Sequence, residues 1–399
     1  MLMCLQSTQC GDLFMNHKPS FLVILSLIFI AGFSLRPGIT SIAPALSEIQ
    51  THFQVPESLL GLLTAIPVMC MGLLSPLAHW VAQRAGIKMT LLIGFMLVAV
   101  GETLRVQTYW FSVLLFTSLL VGIGDALIRP VLSGFIKQHS GRYTPLAIGW
   151  YAASMGIGSG CAAILTTPVG SALGGFEFGL AIWALPTLLS LIAFSTGMPS
   201  REQDSYSVVN VVLVVKRSLI IALTLLFGLQ SGLNYAIAAW LPQWLIAQGE
   251  SATAANQCTF VFIIIGTLTS LSYPLFVASL RHSESRTVLL ATALLTLAPI
   301  CYVANGPVWL LIGLLSMSIG IFFPLVLQLP LAVTHTPTDA IRLSGIVQSL
   351  GYLLGGLAPA AVGVMAKQYG VIDALDGIVL IITLSMTVTA GCLAYWLKR

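Results

Sequence analysis

The chain has 399 residues, of which 57% are apolar and 8% charged, with a mean hydropathy of +0.97. Soluble domains run at roughly 45–50% apolar and about 25% charged, so this composition excludes a cytoplasmic globular enzyme or a secreted domain. The net charge of +4, from 17 Lys/Arg against 13 Asp/Glu, is too small for a nucleic-acid binder and suits a membrane protein with basic inner loops.

Residues 1–14 carry no periodic pattern, and Met15 stands as an alternative start to Met1. The apolar run that begins at residue 20 is too long for a signal-peptide h-region and reads as an uncleaved first helix. Crossing the hydrocarbon core takes about 20 apolar residues in helical form, because backbone polar groups must be satisfied internally. Cutting the chain where charges, Pro and Gly cluster predicts twelve spans, at approximately 20–46, 57–79, 88–106, 109–135, 144–167, 177–198, 217–247, 254–278, 286–304, 308–333, 342–366 and 373–397. The boundaries from first to second and from ninth to tenth span are the weakest, since those loops are short.

The first span carries Arg36, followed by Pro37. About sixteen residues into the helix, at 1.5 Å per residue, Arg36 sits roughly 24 Å from the inner surface. A permanently charged planar fork there suits a small anion or a planar polar ligand held bidentately; snorkelling to the outer interface is the alternative. The fourth span holds Asp125 and Arg129, four apart with the acid first, the favourable order for an intrahelical pair. They form a structural ion pair, or Asp125 carries a proton that couples solute to a gradient. Asp125 is the single acid expected in mid-membrane. Trp150 and Tyr151 in the fifth span can stack on a flat ligand or serve as interfacial aromatics. Gly149, Gly156, Gly158 and Gly160 in the same span suit close helix packing. Gln230, Asn234 and Tyr235 in the seventh span, and Gln348 and Tyr352 in the eleventh, either recognise a polar solute or lock helices together. The third, sixth, ninth and twelfth spans lack charges and amides in their middles and are expected to face lipid.

The polar interval 199–216 divides the chain into a tail at 1–19, a six-helix bundle at 20–198, a linker, and a second six-helix bundle at 217–399. With the amino terminus inside, thirteen Lys/Arg fall on inner segments and only Arg105 and Lys367 on outer ones, which places both termini in the cytoplasm. His79, His139 and His335 fall at inner loop edges. The seven cysteines show no CxxC or metal-ligand spacing, so neither a disulfide framework, a metal site nor a cofactor is expected.

Two sets of six spans with polar groups off every third helix imply a cavity between pseudo-symmetric halves, and in this the chain resembles the major facilitator superfamily. That family's Gly-x-x-x-Asp-Arg-x-Gly-Arg-Arg/Lys signature survives only as Gln83-Arg84-Ala85-Gly86-Ile87-Lys88. Arg84, Gly86 and Lys88 are the matching gating-loop positions. Within the superfamily, Gly32-Phe33-Ser34-Leu35-Arg36-Pro37 with Thr40-Ser41-Ile42-Ala43-Pro44 is similar to the Asn-x-Arg-Pro signature of the cyanate and 2-nitroimidazole transporter family, with Ser34 in place of its Asn. The stretch from Ser344 through Gln348 and Tyr352 to Pro359 resembles that family's eleventh helix, and Ala239-Trp240-Leu241-Pro242 the end of its seventh.

The resemblance implies a monomeric multi-pass transporter of the inner (plasma) membrane. It would move a cyanate-like anion or a nitroimidazole-like heterocycle by alternating access, with proton coupling open. Its site would draw on Arg36, Gln230, Asn234, Tyr235, Gln348, Tyr352, Trp150 and Tyr151; Asp125 and Arg129, which lie outside the motifs that carry the resemblance, are the coupling candidates on their own chemistry. The rival on the same fold is a multidrug or metabolite efflux pump. A channel would need rings of repeated polar residues and an enzyme a His or carboxylate cluster at one depth; the sequence offers neither, and no nucleic-acid partner.

Overall fold

The computed structural model describes residues 20–198, 215–280, 283–304 and 307–397. The expected tail 1–19 and residues 199–214 of the expected linker lie outside them. Among the described residues the chain is all-helical. The first span is broken twice, into α1 (Phe21–Leu35), α2 (Pro37–Thr40) and α3 (Ile42–Phe53). A short α4 (Glu57–Leu60) leads into α5 (Leu62–Leu104), then α6 (Phe111–Ser140), α7 (Thr144–Leu173), α8 (Phe176–Ala181) and α9 (Ala184–Gly197). The second half comprises α10 (Arg217–Ala247), α11 (Ala252–Ser279), α12 (Glu284–Val303), α13 (Val308–Ala332), α14 (Pro337–Tyr369) and α15 (Val371–Trp396). Local chemistry starts several of them. The Ser20, Ser251 and Thr336 hydroxyls each accept from an amide three residues on, satisfying donors that a first helical turn leaves orphaned.

Among the described residues, ten helical stretches are long and apolar enough to cross a membrane. Two exceed one crossing. Leu62–Gln107 has 46 residues, about 69 Å if straight, against a hydrocarbon core of about 30 Å. Phe111–Leu173 has 63. These are the places where separate second and third, and fourth and fifth, spans were expected, so the continuous boundaries are not the ones that looked weakest. The connectors wind into the helix ends instead of forming loops. At the first, Gly86 takes φ 80° and ψ 166°, a conformation that L side chains avoid. At the second, a 3-10 turn at Gly141–Tyr143 intervenes, with Gly141 at φ 49°.

α5 and α6 pack along their length in the first half, and α10 packs on α14 and α15 in the second. Close approach is built on small residues: a Cβ on Gly124 would lie 2.6 Å from the Gly94 carbonyl oxygen, so α5 and α6 touch backbone to backbone. Outward apolar stripes recur at helical spacing on α9 (Leu185, Leu188, Leu189, Ile192) and α15 (Leu380, Ile381, Leu384, Val388). They suit lipid contact on the sixth and twelfth spans. At the end of α5, where the third span was expected to end, Glu102 and Arg105 are both fully buried, so Asp125 is not alone among buried acids. Hydropathy placed them at a span end, where water normally solvates charge; here α2 and α9 cover them.

Candidate functional site

Pro37 has no N–H to donate, so α1 cannot continue through it. The chain breaks at Arg36, restarts as α2 and breaks again at Ser41. The Phe33 backbone next to this break lies directly against Gly158 of α7, where any Cβ would collide with the Phe33 carbonyl oxygen. Arg36 is thereby held, half-buried, on the wall of a cavity of about 240 Å³ between the two halves. Thr40, Met155 and Ser159 line the same side; Gln230, Asn234, Tyr235, Ser270, Ser316 and Phe323 line the other. The guanidinium carbon lies 6.0 Å from the centre of the Phe323 ring, and among the described residues none accepts a hydrogen bond from it.

The other polar groups divide by role. Thr40 donates to the Arg36 carbonyl at 2.9 Å and Ser270 to the Gly320 carbonyl at 2.7 Å, and Ser316 donates to the Phe262 carbonyl. Those hydroxyls are committed to backbone. Gln230 accepts from Ser231 at 3.5 Å and keeps its NH₂ free. Asn234 and Tyr235 make no side-chain hydrogen bond among the described residues. What the cavity offers a ligand is therefore mainly N–H and O–H donors around one fixed positive charge. That set suits a small monoanion or an acceptor-rich planar molecule.

Beside Met155, a buried ionic layer joins the halves. Arg129 Nε and Nη2 each donate to Asp125 at 2.7 Å, a bidentate pair with both side chains almost fully buried. Arg129 Nη1 reaches Met155 Sδ at 3.8 Å and the Tyr352 hydroxyl at 3.4 Å on α14. Tyr352 meets Phe227 edge to face at 5.1 Å. Arg36 lies within electrostatic range of Asp125, Tyr151 and Tyr352. The structure thus brings Arg36, Gln230, Asn234 and Tyr235 to the cavity wall and sets Asp125, Arg129, Tyr151 and Tyr352 behind it. Gln348 is buried in α14 with its Oε1 unpartnered, and Trp150 packs on Phe29 at 5.2 Å; neither is a wall residue.

Ser34, at the position of the family's Asn, donates to Ala31 at 3.0 Å and accepts from Ser190 of α9 at 3.1 Å, facing away from the cavity. In the expected gating loop, the Arg84 guanidinium stacks 3.6 Å over Trp80, and Lys88 donates to the Ser195 carbonyl at 2.8 Å and to that of Met198. Lys88 therefore caps the end of α9 within its own half.

Contacts between the halves gather at one end of the cavity. Lys137 on α6 donates to the Leu331 carbonyl at the end of α13 at 2.8 Å, and Ser349 on α14 donates to the Gly72 carbonyl on α5. A second cavity of about 630 Å³, with Lys137, Arg142, Glu284 and Gln328 on its walls, lies beyond that seal. Sequence reasoning missed Lys137, Phe323, Glu102 and Arg105. A lysine near a helix end reads as an ordinary inner-loop charge, and a phenylalanine in an apolar span carries no signal.

The family profile described as Major Facilitator Superfamily matches residues 28–397. The chain is 30% identical over 356 residues to the "Cyanate transport protein CynX" of Escherichia coli (strain K12), covering 87% of this chain and 91% of that protein. It is 28% identical over 363 residues to the "2-nitroimidazole transporter" of the same strain, covering 88% and 89%. Its fold superposes on the proton:xylose symporter XylE with a TM-score of 0.73 at 13% identity, covering 94% of this chain and 95% of that one.

Proposed function

The chain belongs to the major facilitator superfamily, and from that premise we propose that this multi-pass transporter carries a small anionic or flat, acceptor-rich solute by alternating access. The observation that carries the reading is the Arg36 guanidinium, for which no described residue is a hydrogen-bond acceptor, in a donor-rich cavity between the halves. A charge at that depth costs several kcal/mol unless something compensates it; an anion arriving there does so. The volume of about 240 Å³ falls below the roughly 300–1,000 Å³ of sites for drug-sized ligands, which favours a small solute over multidrug efflux. Relatives named for cyanate and 2-nitroimidazole transport support the same class.

In this reading Leu62–Gln107 and Phe111–Leu173 each cross the membrane twice, giving twelve crossings in bundles 20–198 and 217–399. Basic residues collect at the Lys137 end, so that end and both termini face the cytoplasm of an inner-membrane monomer. Arg36 binds the solute bidentately, the Gln230, Asn234 and Tyr235 donors complete its shell, and Phe323 offers a flat apolar wall. Gln348, Tyr352, Tyr151 and Trp150 shape the helices around the site, and Arg84, Gly86 and Lys88 steady the turn between the second and third crossings.

The test is uptake of labelled cyanate and of a 2-nitroimidazole into proteoliposomes, with and without a proton gradient. Arg36→Ala is expected to weaken apparent affinity by about 10- to 100-fold, the worth of a charged hydrogen-bond pair at about 1.5–3 kcal/mol. Arg36→Lys keeps the charge but loses the fork and falls between. Saturable transport unchanged in Arg36→Ala would remove the guanidinium from the site.

A further inference from the structure

Two carboxyl groups of the first half are fully buried, and their surroundings differ. Both oxygens of Asp125 are taken by Arg129. Glu102, near the end of α5, makes no ion pair among the described residues. Its Oε2 accepts from the Thr187 hydroxyl of α9 at 2.7 Å, and its Oε1 is buried without a partner. The cation one turn on, Arg105, is turned elsewhere: its Nη2 donates to the Gly38 carbonyl at 2.7 Å and its Nη1 to Ser41 Oγ at 3.4 Å, while its Nε is unpartnered. Both side chains converge on Gly38, two residues beyond Arg36. A Cβ built there would sit 2.9 Å from Glu102 Oε1. Of the charged groups around Glu102, Arg105 follows directly on α5 and Asp125 comes from α6; among the described residues, the contacts from α2, the break after it and α9 are the uncharged Gly38, Ser41 and Thr187. A fully buried ionised carboxylate with one hydroxyl donor is poorly compensated, whereas a carboxylic acid can donate from Oε2 to the Thr187 hydroxyl, which in turn reaches the Trp183 carbonyl at 3.3 Å.

We propose that Glu102 is a proton-binding site, occupied in this conformation, whose deprotonation draws Arg105 off the Gly38 carbonyl and so frees the α2 segment that follows Arg36. The proton leaves Glu102 for water admitted at the end of α5, no covalent bond other than O–H changes, and the carboxylate then pairs with Arg105. Protonation restores the Arg105–Gly38 bond and re-seats α2. The device links proton occupancy to the position of the cavity's one cation. Its coupling role rests on the transport reading above; the occupancy of Glu102 does not.

Infrared spectroscopy of the full chain in lipid at neutral pH tests the occupancy directly. The expected result is a carbonyl stretch of a protonated carboxylic acid that is lost in Glu102→Gln and retained in Asp125→Asn. A Glu102→Gln spectrum identical to wild type in that region would overturn the proposal. Glu102→Asp is the second variant, in which the band should shift and remain; if the glutamine variant does not fold, an unshifted band in Glu102→Asp overturns the assignment. In proteoliposomes, gradient-driven accumulation of labelled cyanate or 2-nitroimidazole by Glu102→Gln should drop to the level without a gradient. Accumulation that still follows the gradient would refute the coupling role. Wild type that moves neither probe would count against the transport reading, while the infrared result would still decide the proton site.

Discussion

At the scale of single residues, the charges in this bundle are settled by what touches them, not by their depth in the sequence. Asp125 and Arg129 satisfy each other through two 2.7 Å hydrogen bonds, so as a unit they add little net charge. Separating them is another matter, because removing one partner of a buried pair leaves an uncompensated ion and costs about 3–5 kcal/mol. Asp125→Asn should therefore lower thermal stability in detergent markedly, and the neutral double variant Asp125→Asn/Arg129→Gln should recover most of the loss. A single variant as stable as wild type would mean that water or lipid headgroups already solvate Arg129. The pair was legible from its i, i+4 spacing, and Arg36 from the proline beside it. Glu102 and Arg105 were not, because their burial depends on Gly38 of α2 and Thr187 of α9, tens of residues away in the chain. A span end in sequence is ordinarily a wet place, and only the tertiary arrangement dries it.

At the scale of helices, the glycine-rich α7 shows what a sequence pattern can and cannot assign. The stripe Gly149, Gly156, Gly158 and Gly160 signals close packing without saying which member makes it. In the fold, a Cβ on Gly158 would drive into the Phe33 backbone, whereas one on Gly160 would meet nothing within 4 Å. Gly158→Ala should push α1 off α7, displace the break that positions Arg36, and reduce both stability and uptake. Gly160→Ala should do the reverse, gaining roughly 0.5–1 kcal/mol from helix preference alone. Thermal unfolding of the two variants side by side checks this, and equal behaviour would show that α1 does not rest on Gly158. Element boundaries follow the same logic. Spans from α10 onward match their apolar runs within a few residues. The second and third merge through Gly86, because no run of polar residues is needed where a positive φ and a lysine cap on α9 make the turn.

At the scale of the molecule, the question is what holds this conformer against the alternative that a transport cycle requires. The halves meet at one end through Lys137 on the Leu331 carbonyl, Ser349 on the Gly72 carbonyl, and Gly134 fitted beneath Ile341. Deeper in, Arg129 reaches the Tyr352 hydroxyl. Each of these is a modest hydrogen bond or a close backbone fit. Lys137 is the most separable contributor, since it is only half-buried and its partner, the Leu331 carbonyl near the end of α13, also accepts from the Thr334 hydroxyl at 3.4 Å. Losing one such bond costs about 1 kcal/mol, which shifts a two-state population by about fivefold. Lys137→Ala should therefore raise the fraction open at this end without unfolding the protein. Spin-label distances between the tips of α6 and α13, in lipid and without solute, read that fraction directly. The long-distance population should grow in Lys137→Ala and grow further when Tyr352→Phe is added. An unchanged distance distribution in both would mean that neither the Lys137–Leu331 nor the Arg129–Tyr352 hydrogen bond sets the equilibrium.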